Sequence, residues 1–142
     1  MSTTAQNVFD KAMALMDAID ESGDTNNEDT LEYKNRALFI INMLQNELYR
    51  YSDTYTATAG TRPVCTEVTG YDGDLGLDDY LARTILPYGL AYHLLIAEDP
   101  STANLYLQRY QELIATQAGA LPSAAEAIDN VYGGIERGSG DD

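Results

Sequence analysis

Basic residues are scarce in this chain. Eight Lys and Arg stand against 23 Asp and Glu, a formal net charge of −15 with a pI near 4.1. Binding to duplex or single-stranded nucleic acid needs a basic footprint, and so does an anionic membrane surface. Neither sequence-specific nucleic-acid binding nor membrane attachment is therefore expected. Cys65 is the only cysteine, which excludes a disulfide framework and a thiolate metal site. No apolar run approaches the ~20 residues that a membrane span needs. The N-terminus lacks a basic segment followed by an apolar core, so no signal peptide is expected.

Reactive motifs are equally sparse. His93 is the sole histidine, and a metal site or a triad would need partners that its surroundings do not offer. No Walker loop or dinucleotide fingerprint occurs. Asp72, Asp74, Asp78 and Asp79 resemble a calcium loop only superficially. Counted from Asp72, the sixth and twelfth positions are Leu77 and Arg83, where glycine and glutamate are needed. These carboxylates read as turn formers and a helix cap. No catalytic residue, cofactor or metal ligand is assigned, and an enzyme is not expected.

Periodicity and punctuation are present. At 142 residues the chain is long enough for one domain with a core of its own. It lacks Trp and has two Phe but 11 Tyr, a residue suited to half-buried helix edges and interfaces. Ser2, Thr3 and Thr4 offer caps for a first helix whose apolar face is Val8, Ala12, Leu15, Met16 and Ile19, ending near Glu21. A second helix starts between Asn27 and Thr30, with Leu31, Ala37, Leu38, Ile41, Leu44 and Leu48 along its stripe. It ends near Tyr51 to Asp53.

Residues 52–76 are cut by glycines and lean towards β structure. They read as an ordered loop with a short hairpin between Thr54–Thr58 and Val64–Val68. Asp78 and Asp79 then open a long helix bearing Leu77, Leu81, Ile85, Tyr88, Tyr92 and Leu95, with a kink or break near Thr84 to Leu86 because of Pro87. Asp99 and Pro100 start another helix, which Gly119 ends. The connection is short enough to force an antiparallel hairpin. Ser123 to Glu126 match a capping box for a short helix containing Ile128 and Val131.

The expected fold is therefore mainly α. It is a small bundle of about four helices around a central antiparallel hairpin, with a long β-leaning loop between the second and third helices. One domain spans 1–137, and 138–142 form a mobile acidic tail.

The succession Leu77-Asp78-Asp79-Tyr80-Leu81, Leu86-Pro87-Tyr88-Gly89-Leu90-Ala91, Glu98-Asp99-Pro100, Tyr106 and Gln108 to Leu113 resembles the head–tail connector, or adaptor, proteins of tailed phages. The resemblance covers most of the chain in element order and is sharpest over Leu77–Leu113. It implies a helical-bundle protomer of a homo-oligomeric ring beneath the portal, made in the bacterial cytoplasm and carried in the virion. An acidic lumen would repel passing DNA. The contact residues expected on this view are Thr54, Tyr55, Thr56, Val64 and Val68 in the loop, with Tyr132, Ile135 and Arg137 near the end. The other reading of the residues is an acidic regulatory module that binds a basic partner or mimics DNA.

Overall fold

The computed structural model describes residues 2–18 and 23–120. Among these residues the regular elements are all helical, in agreement with the mainly α class, and no strand occurs.

Helix α1 (Ala5–Leu15) begins with a reciprocal cap. The Thr4 hydroxyl accepts from the Asn7 N–H at 3.2 Å, and Asn7 Oδ1 accepts from the Thr4 N–H at 3.0 Å. Its next free donors reach across the molecule: Ala5 and Gln6 donate to the Gly73 and Tyr71 carbonyls. The last part of the long loop thus serves the helix N-terminus. Val8, Phe9, Ala12 and Met13 are fully buried. The helix stops at Leu15, short of the expected Glu21, because Asp17 adopts φ 58°. Aspartate tolerates this left-handed conformation better than most residues, and it ends the run without a glycine. Ile19 and Glu21 lie outside the described residues.

Helix α2 (Leu31–Leu48) tightens into a 3₁₀ turn at Tyr49–Tyr51, close to its expected end. Ala37, Ile41, Leu44 and Leu48 are buried, but Leu31 of the expected stripe is exposed.

At Asp78 the chain becomes helical again. Its Oδ1 accepts from the Leu81 N–H at 3.0 Å, the cap expected there. A π turn at Leu81–Ile85 follows and leads straight into α3 (Leu86–Leu95). Leu86 donates to the Leu81 carbonyl, five residues back. Pro87 has no N–H to give, and the widened turn before it makes room for its ring, so the helix runs on without a break. The disturbance expected near Thr84 to Leu86 is this π turn. Leu86, Pro87, Gly89, Leu90, Ala91 and Leu94 are all buried. A helix apolar on every side belongs in the middle, and α3 packs against α1, α2 and α4.

Helix α4 (Pro100–Ala120) starts on the expected cap, with Asp99 accepting from the Thr102 N–H and hydroxyl at 3.2 and 2.7 Å. It continues through Gly119, which does not end it. Gly89 and Tyr110 lie about equally far from the turn and touch. A Cβ on residue 89 would sit 2.7 Å from the Tyr110 ring. Helices α3 and α4 therefore run antiparallel, and only glycine permits so close an approach.

Candidate functional site

The long loop does not form the expected hairpin. Its bridges are isolated ones, Thr58 with Thr61 and Thr4 with Asp74. It leans instead on three amide side chains of α2. Asn42 embraces Val68 as a strand would: Oδ1 accepts from the Val68 N–H and Nδ2 donates to the Val68 carbonyl, both at 2.9 Å. Asn46 Oδ1 accepts from the Cys65 N–H at 2.7 Å. Gln45, fully buried between them, accepts from the Gly76 N–H at 2.7 Å through Oε1. Its amide nitrogen donates to Asn42 Oδ1 and to the Thr66 carbonyl.

Positions 42, 45 and 46 share one helix face, so α2 offers an extended segment the polar partners it would otherwise find in a sheet. Gly76 completes the fit, since a Cβ there would lie 2.6 Å from Cys65 Sγ.

The start of the loop is tied to the α3 end of the molecule. Asp78 Oδ2 accepts from the Asp53 N–H at 2.8 Å, and the Thr54 hydroxyl donates to the Gly76 carbonyl at 2.6 Å. The Thr56 N–H donates to the Tyr49 hydroxyl, and the Tyr55 ring meets the Tyr49 ring edge-on. Thr54, Tyr55 and Thr56 are exposed and cluster beyond the end of α2. Val64 is 70 % exposed, whereas Val68 is buried in the core. Tyr132, Ile135 and Arg137 lie outside the described residues.

Two side chains not singled out from the sequence stand out here. Phe39 and Met43 are 74 and 68 % exposed and one turn apart on the outer side of α2. Val64 immediately precedes Cys65, which is fastened to Asn46, so it is held along the same stretch of the helix. The signal was available. Asn42, Gln45 and Asn46 are clustered amides inside a helix, and Phe39 and Met43 fall off the apolar stripe.

A cleft of about 490 Å³ separates α3 and α4 from the end of α2. In it the Tyr110 hydroxyl donates to Glu47 Oε1 at 2.6 Å. Burial, and then the bond to Glu47 and its negative charge, push the Tyr110 phenol far above its usual range. It acts as a fixed donor and not as a proton exchanger near neutrality. His93 lies at the rim, its ring edge-on to Tyr92 at 5.0 Å.

The loop carboxylates are also engaged. Asp78 holds backbone donors, while Asp79 accepts from the Thr3 hydroxyl at 2.8 Å and pairs with Arg83 at 3.6 Å. Among the described residues no group of three potential ligands could hold a metal ion, and no helix is long and apolar enough to cross a membrane.

The fold and surface define a mainly helical protein whose ordered loop is built onto one helix. Known protein families, curated proteins and solved structures provide no match to the chain.

Proposed function

We propose that this chain is a structural protein of a tailed-phage virion, a head–tail connector subunit that joins a ring of copies beneath the portal. The observation that carries the reading is the exposure of Phe39 and Met43, one turn apart on α2, and of Val64 on the loop that α2 holds. Exposed apolar side chains of this size on an acidic molecule suit a protein interface. The loop that carries Val64 is already fastened to α2, so little ordering remains when a partner docks.

The resemblance over Leu77–Leu113 supplies the class of partner. In this reading the protomer is a helical bundle. Thr54, Tyr55, Thr56 and Val64 contribute to contacts in the assembled ring, and Tyr132, Ile135 and Arg137 form a second contact region. The negative charge lets DNA pass the lumen without adhering, because phosphates are repelled. The chain works without catalysis, cofactor or metal.

Deletion of the gene from a phage or prophage tests this. Micrographs of the lysate should show tails lying apart from heads that are empty or leaking, and the wild-type gene should restore joined particles. A Phe39→Glu, Met43→Glu chain, altered only at exposed positions, should not restore them. Normal infectious particles from the deletion overturn the reading. The chain would then be sought as an acidic module on a basic partner, binding with strong salt dependence.

A further inference from the structure

A second cleft, of about 420 Å³, lies between α1, the π turn, α3 and α4. Its lining carries three of the chain's eight cations, Lys11, Arg83 and Arg109, and among the described residues no carboxylate. Leu15, Pro87 and Leu113 supply the apolar floor. On a molecule of net charge −15 these three cations exceed the two, Arg50 and Arg62, that line another acid-poor cleft, beside Tyr49 and Pro63.

Arg109 makes a solvent-exposed pair to Glu112 at 3.5 Å, while Arg83 pairs with Asp79 at 3.6 Å and also donates to the Thr3 hydroxyl at 2.9 Å. The Arg109 pair exchanges readily for another carboxylate, because so exposed a pair is worth little in water. Lys11 is exposed and has no polar partner among the described residues.

We infer that this cleft is the docking site of the chain's own segment 121–142. The segment has the complementary composition: Glu126, Asp129, Glu136, Asp141 and Asp142 against Arg137 alone, five negative and one positive, net −4. Leu121, Ile128, Val131 and Ile135 match the apolar floor.

Reach also fits. Arg109 and Leu113 lie on the helix that ends at Ala120, and the seven residues from Leu113 to Ala120 span about 10 Å. The 22 residues that follow could extend to roughly 70 Å, so returning to the cleft demands no strain. A tethered segment acts at an effective concentration in the millimolar range, which favours it over a free acidic peptide of similar sequence. The cleft beside Tyr110 is less suitable, because Glu47 lines it together with Arg50. This docking does not depend on a role in a virion.

The experiment uses the full chain, with a nitroxide on Ser139→Cys and Cys65→Ala to leave one labelling site. In a ¹⁵N-labelled sample the amides of Lys11, Thr84 and Arg109 should broaden, while those of Phe39 and Met43 should not. Lys11→Glu with Arg109→Glu, both at exposed positions, should abolish the broadening without otherwise changing the spectrum. Adding Asp141→Lys and Asp142→Lys should restore it. Raising NaCl should weaken it. Absence of broadening in the parent overturns the inference. So does broadening that appears only when spin-labelled chains are mixed with separate ¹⁵N-labelled ones, since the segment would then dock on another copy.

Discussion

Tyr110 joins three helices through one side chain. Its ring fills the space beside Gly89 of α3, and its hydroxyl meets Glu47 of α2. The neutral phenol is what the folded state holds, which gives a pH dependence of definite sign. Unfolded tyrosine ionises near pH 10, whereas folded Tyr110 keeps its proton well above that. Above pH ~10 the unfolded chain therefore binds fewer protons, and stability falls as pH rises, by up to about 1.4 kcal/mol per pH unit for this residue. Below pH ~10 its contribution is complete. Tyr33 behaves alike, pushed up to about 12 by burial and by its bond to Glu98. Urea unfolding at pH 9, 10 and 11 should show the Tyr110→Phe chain losing stability with pH less steeply than the parent. Equal slopes would contradict the assignment.

At the scale of elements, α2 and the loop are one unit. Gln45 is fully buried, and the Gly76 N–H and the Thr66 carbonyl depend on it for partners. Gln45→Leu keeps the volume but strands a buried donor, which costs ~1–3 kcal/mol. Denaturant unfolding should register that loss. Hydrogen exchange at Gly76 and Cys65 should accelerate by more than the change in global stability accounts for. Exchange that rises equally in α3 and in the loop would show that the amides do not clamp this segment.

The π turn belongs to the same scale. The sequence marks a disturbance at Pro87, because a missing N–H is visible in one letter. Whether the helix bends, breaks or widens depends on what its neighbours allow. Here Leu81, Ala82, Ile85 and Leu86 are all buried on both sides of the wide turn, so packing holds the helix continuous.

For the whole molecule, charge is the governing term. At net −15, with two exposed ion pairs among the described residues, self-repulsion opposes the compact state. Raising NaCl from about 10 to 150 mM shortens the screening length from ~30 to ~8 Å. The thermal midpoint should therefore rise over that range. A midpoint that falls would mean that favourable pairs, and not repulsion, dominate the surface.

Local rules made much of the molecule legible from the chain alone. Thr4, Asp78 and Asp99 cap helices because a short polar side chain can reach free N–H groups within its own turn. The spacing of Val8, Ala12, Ile41, Leu44, Leu48, Leu81 and Ile85 marks buried faces, because apolar surface segregates from water with the helical period. Long-range choices were not legible. Cys65, Thr66 and Val68 pair with amides of α2 and not with Thr54–Thr58, because Asn42, Gln45 and Asn46 were already presented on a rigid helix. Leu31, Phe39 and Met43 are as apolar as the core, yet they face outward because α2 turns its other side to α3. Lys11, Arg83 and Arg109 are 72 and 26 residues apart in the chain, and only the packing of α1, the π turn and α4 brings them to one cleft. Sequence by itself determined helix, cap and acidity, since those follow from neighbours along the chain. Tertiary structure alone decided which polar groups would meet and which apolar ones would stay in water.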